Sequence, residues 1–124
     1  MLTSAAILIV EDHALSRELA TAILETAGYT VLSAEDGVGL PELVATERPD
    51  LIIMDLQLPH IDGVTLIRSL KAHGATRSIP IIVMTAYAQP ELYAKAMEAG
   101  CAAYLPKPLD SRALLRTVAD VLKR

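Results

Sequence analysis

Glu11-Asp12, Asp55, Thr85 and Lys107 are the side chains on which chemistry in this 124-residue chain could rest, because each stands at the end of an apolar run. Ala6-Ile7-Leu8-Ile9-Val10 halts at Glu11-Asp12, and Leu51-Ile52-Ile53-Met54 halts at Asp55. Pro80-Ile81-Ile82-Val83-Met84 leads to Thr85, and Ala102-Ala103-Tyr104-Leu105-Pro106 leads to Lys107. If these runs are parallel strands, the polar groups meet on one edge of a sheet, and in open α/β sheets ligands bind beyond the carboxyl ends of the strands. Carboxylates gathered there repel one another, so one must take up a proton or a cation must sit among them. A few carboxylates, a backbone carbonyl and water make the kind of site that Mg²⁺ prefers, with positions left open for phosphate oxygens. The Thr85 hydroxyl and the Lys107 ammonium add a donor and a positive charge, enough to hold a group with several anionic oxygens. Asp55 could then be a nucleophile that becomes an aspartyl-phosphate, in a transfer that needs mainly positioning and charge neutralisation.

The rest of the chain reads as the frame for those groups. Ala6–Val10 and Leu51–Met54 are unbroken apolar runs, as is Pro80–Thr85 up to its final hydroxyl, which suits strands buried on both faces of a parallel sheet. Tyr29–Ala34 is a more amphipathic strand, and Ala102–Pro106 a short fifth one. Between them, Leu15, Leu19, Ile23 and Leu24 recur at helical spacing before Gly28, and a second helix is expected over Val38–Thr46 with Leu40, Leu43 and Val44 inward. Pro41 fits only the first turn of that helix. A third helix starts with Asp62 as N-cap and turns Leu66, Ile67 and Leu70 inward. A fourth runs over Pro90–Ala99 and is closed by Gly100. The last, Ser111–Lys123, is amphipathic through Leu114, Leu115, Val118, Val121 and Leu122, with Ser111 or Asp110 as its cap. Strands alternating with helices predict one α/β domain over residues 1–124, a doubly wound parallel sheet with helices on both faces and right-handed connections.

Composition narrows the function. Eleven Lys and Arg against fifteen Asp and Glu leave a net charge of −4, which argues against nonspecific binding to nucleic acid or to an anionic membrane. The amino end carries no basic segment before a long apolar run, and no stretch approaches the ~20 apolar residues of a membrane span. A cytoplasmic location is expected, and the single Cys101 suits it while excluding an internal disulfide and a Cys-rich zinc site. Cys101 reads as a small buried residue. His13, His60 and His73 lack metal-ligand spacing, Gly37-Val38-Gly39 reads as a turn, and there is no Walker lysine motif.

Each site residue has a plain reading when taken alone. Asp12 could merely cap a helix, Asp55 end a strand, Thr85 stand as an edge hydroxyl and Lys107 as a solvated charge. Their arrival at successive strand ends is what points to a site. Tyr104 is open between strand filler and a functional aromatic.

Together Leu8-Ile9-Val10-Glu11-Asp12, Met54-Asp55-Leu56-Gln57-Leu58-Pro59 with Asp62-Gly63, Met84-Thr85-Ala86 and Tyr104-Leu105-Pro106-Lys107-Pro108 resemble the receiver domain of two-component response regulators, of the single-domain CheY and DivK kind. The resemblance covers essentially the whole chain. It implies the strand order 2-1-3-4-5 known for that fold. It also implies that Asp55 is the phosphoacceptor, that Asp12 ligates the metal directly, that Glu11 holds metal-bound water and that Gln57 offers its backbone carbonyl. Mg²⁺, or Mn²⁺ in its place, is the implied cofactor. Lys107 would pair with phosphoryl oxygens, Thr85 would turn toward them, and Tyr104 would swing inward when Thr85 moves. The bond Lys107-Pro108 matches the one that is cis in this family. His13 departs from the commonest pattern, and Gln57 and Tyr87 occupy the variable places that tune phosphate loss.

The expected function is that of a phosphoacceptor switch. A histidine kinase or histidine phosphotransfer protein donates a phosphoryl group to Asp55, and a downstream protein reads the change through the fourth helix, fifth strand and fifth helix. The protein would be a monomer or a weak phosphorylation-dependent dimer, and not a multiple-turnover enzyme on an external substrate. An alternative is a receiver cut from a hybrid kinase or a larger regulator, against which the start at Met1 and the basic helix end weigh. A further alternative is a Mg²⁺-dependent phosphohydrolase of the haloacid-dehalogenase kind. Those enzymes carry an acid/base Asp two residues past the nucleophile, where this chain has Gln57.

Overall fold

Three β-branched, almost wholly apolar segments form the centre of the molecule: β1 (Ala6–Val10), β3 (Leu51–Asp55) and β4 (Ile81–Thr85). A computed structural model describes residues 4–86 and 89–123. β3 and β4 are buried along their whole length. They can be so apolar because both faces of the sheet are covered. β2 (Thr30–Ala34) and β5 (Ala103–Pro106) flank them and are more exposed. All pairings are parallel, and the order is β2-β1-β3-β4-β5. That is the doubly wound architecture and strand order expected.

Helices α1 (Ala14–Thr26), α2 (Leu40–Glu47), α3 (Gly63–Ala72), α4 (Pro90–Ala99) and α5 (Ser111–Lys123) fill the two faces. The side-chain period of a strand sends alternate residues to opposite sides. Leu8, Val10, Ile52, Met54, Ile81 and Val83 accordingly pack with Leu40, Val44, Ile67, Leu70 and Ala96 from α2, α3 and α4. Ile7, Ile9, Leu51, Ile53, Ile82 and Met84 pack with Ala20, Leu24, Leu114, Val118 and Val121 from α1 and α5. The register pairs Val10 with Met54, Asp55 with Met84 and Thr85 with Pro106, so the polar ends fall on one edge.

Several local expectations hold in detail. Asp62 caps α3, its carboxylate accepting the Thr65 N–H at 3.1 Å. Of the two candidate caps of α5, Asp110 does the work: its Oδ1 accepts the Arg112 N–H at 2.9 Å. Gly100 ends α4 at φ 114°, a conformation open to glycine. Cys101 is buried.

Two helices differ from the pattern read in sequence. Leu15 and Leu19 are 72% and 50% exposed, and the buried contacts of α1 are made by Ala20 and Leu24. A series of fourth residues advances about 40° around a helix at each step, so Leu15 and Leu19 lie progressively off the buried stripe. α2 begins at Leu40, two residues beyond the expected Val38. Asp36 Oδ1 accepts the Val38 N–H at 2.9 Å and Gly39 adopts φ 72°, which makes residues 36–39 a turn and leaves Val38 outside. At the strands the differences are slight: Tyr29, Pro80 and Ala102 each precede the strand they were expected to open.

These placements separate two leucines of one helix. Leu24→Ala should lower unfolding free energy by about 2–5 kcal/mol, and Leu19→Ala should stay within about 0.5 kcal/mol of the parent. Urea denaturation of the two variants checks the assignment, and equal losses would contradict it.

Candidate functional site

At the end of β1 the ladder continues for one rung, with the Glu11 N–H donating to the Ala34 carbonyl at 3.0 Å. Glu11 is thereby drawn fully into the interior. Its Oε2 accepts the His13 N–H at 3.0 Å, and its Oε1 is bonded by Lys107 Nζ. Asp55, 5% exposed, receives the Gln57 N–H on Oδ1 at 2.9 Å and Lys107 Nζ on Oδ2 at 2.7 Å. Asp12 remains exposed beside them. Oxygens of Glu11, Asp12 and Asp55 all lie within 4.8 Å of one another.

Lys107 reaches this edge because its own N–H donates to the Thr85 carbonyl at 2.9 Å, which ties the loop after β5 to the end of β4. The peptide bond between Lys107 and Pro108 is cis. Burial on its own pulls the Lys107 ammonium down in pKa, but the hydrogen bonds it donates to Asp55 and Glu11, and then their charges, outweigh it and hold the group above the ordinary lysine value. Its contribution to stability is therefore intact at neutral pH and is lost only on the alkaline side, as pH rises through that raised value.

The backbone at Gln57 is set by a close approach. Gly63 N–H donates to the Leu56 carbonyl at 3.2 Å, and Gln57 bridges to Asp62. A Cβ at Gly63 would stand 2.6 Å from the Leu56 Cα, so glycine alone lets the amino end of α3 sit this close. The Gln57 side chain itself is exposed.

Thr85 is buried at the end of β4, in phase with Ile81 and Val83. Tyr104 pairs with Val83 across the ladder and packs into the same layer, so Thr85 and Tyr104 share the face covered by α4. The Tyr104 ring meets Tyr93 of α4 edge-to-face, with centroids 5.1 Å apart. Tyr104 is thus held by an aromatic partner. Burial, and then the neighbouring Cys101, raise its phenol pKa. Tyr87, the second place read as rate-tuning, lies outside the described residues.

Glu11, Asp12, Asp55 and Lys107 therefore come together as expected, with Thr85 at the end of the neighbouring strand β4, whereas the Gln57 side chain is exposed. His13 contributes its backbone N–H, and His73 Nδ1 contacts the Ser69 carbonyl at 2.7 Å. Arg17 and Tyr93 were passed over. Arg17 Nη1 donates to the carbonyls of Glu11 at 2.9 Å and Asp12 at 3.5 Å. A signal was present: an arginine one turn into the helix that follows an acidic pair can fold back over it. Tyr93 had none, because α4 is weakly patterned and the aromatic contact joins distant segments.

The donor set suits a hard divalent cation. With all four groups ionised, Glu11, Asp12 and Asp55 against Lys107 give −3 + 1 = −2, a charge that one such ion balances. Beside the ammonium opens a cleft of about 300 Å³, lined by Ser16, Leu19, Ala86, Pro108 and Leu109. A model of the response regulator receiver domain matches residues 7–119.

The chain belongs to the response regulator receiver domain family. It is 34% identical to the polar-differentiation response regulator DivK of Brucella anthropi, over 94% of each chain. Among solved structures it is similar to the receiver domain of the sensor histidine kinase PA1611 from Pseudomonas aeruginosa, which has a magnesium ion coordinated in its active-site cleft. That likeness has a TM-score of 0.90 and 31% identity, covering 98% of this chain and 100% of the other. The chemotaxis protein CheY4 of Vibrio cholerae superposes with a TM-score of 0.89 at 28% identity, over 96% of this chain and 99% of that one. As a family, receiver domains are signalling modules that work with histidine kinases and downstream targets. Among the described residues no helix is long and apolar enough to cross a membrane.

Removing the ammonium of this receiver should expose the repulsion it suppresses. Lys107→Met is expected to cost about 1–3 kcal/mol at neutral pH, less than a fully buried pair because 17% of the Lys107 side chain is exposed. Urea midpoints at pH 7 measure the gap, and a variant as stable as the parent would contradict this account.

Proposed function

We propose that residues 1–124 act as one phosphoacceptor receiver in which Asp55 takes a phosphoryl group from the phosphohistidine of a histidine kinase or phosphotransfer protein. The observation that carries this reading is the single ammonium of Lys107 bonded to both Glu11 and Asp55 at the sheet edge. In the transfer an Asp55 carboxylate oxygen attacks phosphorus, the P–N bond to the donor imidazole breaks, and the imidazole leaves with its electron pair. Lys107 already bonds an oxygen of the nucleophile and is within reach of the phosphoryl oxygens that arrive there. The Gln57 N–H fixes the other Asp55 oxygen and so orients the carboxylate.

Asp12, Asp55 and the Gln57 carbonyl would hold Mg²⁺ or Mn²⁺, with Glu11 binding its water. When bound, the ion neutralises the charge that builds on the transferring group. The cleft beside Lys107 gives the donor access. Phosphate adds charge and strong acceptors, which draw Thr85 and Lys107. Tyr104 follows Thr85 along the shared face, and the α4–β5–α5 surface passes to a second state that a downstream protein recognises. Exposed Gln57, together with Tyr87, sets how long the phosphate stays.

The alternative of a phosphohydrolase lacks its acid/base: Gln57 is exposed and carries no titratable group. Incubation with Mg²⁺ and acetyl phosphate, followed by intact mass measurement, tests the reading. Wild type should gain a phosphoryl mass that Asp55→Asn abolishes. A wild type that gains none while binding Mg²⁺ would overturn it, and sustained release of phosphate from small esters would favour the hydrolase.

A further inference from the structure

Past Val10 the strand register of β1 ends, yet the two acids that follow must be held at a fixed separation from Asp55. In the segment between β1 and α1 the Glu11 N–H bonds the Ala34 carbonyl and the His13 N–H bonds Glu11 Oε2, and neither bond engages the Glu11 or Asp12 carbonyl. His13 stands at the N-cap of α1 with no side-chain hydrogen bond to the helix. The Glu11 and Asp12 carbonyls receive a donor from Arg17. Its Nη1 lies 2.9 Å from the Glu11 carbonyl and 3.5 Å from that of Asp12. Nη2 lies 3.5 Å from Glu35 Oε1, just beyond the end of β2. The Arg17 side chain is 18% exposed, whereas that of Glu35 is 77% exposed.

We infer that Arg17 is a positioning residue for the acidic pair, clamping the Glu11 and Asp12 carbonyls so that their carboxylates meet a divalent cation at the required spacing. This inference rests on the reading of Glu11, Asp12 and Asp55 as a Mg²⁺ site. The physical case turns on sign. Arg17 carries a positive charge beside a cation site, so by Coulomb's law its removal alone would strengthen Mg²⁺ binding. If the clamp is what matters, its removal weakens binding, because outer hydrogen bonds that orient a ligand set typically contribute ten- to a hundredfold in metal affinity. The two roles thus predict opposite shifts. The exposed ion pair to Glu35 is long and screened and should contribute little.

Isothermal titration of the folded, metal-free protein with Mg²⁺, paired with thermal melts in chelator, measures both. Arg17→Gln should bind Mg²⁺ about tenfold more weakly. Arg17→Lys, which keeps the charge and one donor, should lose less, about threefold. Glu35→Gln should bind as wild type does. Arg17→Gln affinity equal to or tighter than wild type would overturn the inference, even if the melting temperature falls, since that leaves Arg17 a charge or a fold element only. A loss in Glu35→Gln as large as in Arg17→Gln would overturn it in favour of the ion pair. If Arg17→Gln does not fold, Arg17→Lys decides alone, and wild-type affinity there overturns it. A wild type that binds no Mg²⁺ would sink the metal reading and this inference together, whereas loss confined to the Arg17 variants separates the two.

Discussion

Buried carboxylates that repel one another are the constraint on which this structure depends. Glu11 is fully enclosed and Asp55 nearly so, and an unpaired charge at either place would cost several kcal/mol. One ammonium bonded to both is the solution. It is a partial one, because Asp12 adds a further acid within reach and leaves an excess of negative charge at the edge. A fold that stores such an excess in a rigid frame holds an electrostatic demand that a divalent cation meets. In the proposed mechanism the arriving phosphoryl group then redistributes the same charges.

The frame matters as much as the charges. Parallel pairing from β2 to β5 aligns every carboxyl end, and two packed layers fix the strands from both sides. The tie between the Lys107 N–H and the Thr85 carbonyl places the ammonium, and the Gly63 approach to Leu56 places the backbone at Gln57. In the proposed mechanism, small shifts at this edge bias the surface beyond Thr85 and Tyr104, since packed layers answer by changing state more readily than by stretching.

Much of this was legible in the residues themselves. Continuous β-branched runs identified β1, β3 and β4, because only strands covered on both faces can be so apolar. Asp62 as a cap and Gly100 as a stop follow from local chemistry and were found where expected. Leu15 and Leu19 misled because helical spacing shows that a stripe exists without showing which stripe the sheet covers. The Arg17 clamp and the Tyr93–Tyr104 contact escaped notice for a related reason. One is a side chain returning to carbonyl groups, which have no letter in a sequence, and the other joins segments whose proximity only the sheet creates.

The central claim is that Asp55, among the acids at this edge, is the one that accepts phosphate. Glu11 is held on both oxygens but is fully enclosed, and Asp12 stays exposed at the rim, whereas Asp55 is fixed by the Gln57 N–H and by Lys107 and keeps 5% exposure. The most direct measurement is to phosphorylate the protein in Mg²⁺, trap the acyl phosphate by borohydride reduction, and locate the reduced residue by peptide mass analysis. The account predicts reduction at Asp55 alone. Reduction at Asp12 or Glu11, or a phosphoryl group found on a residue away from this edge, would contradict it.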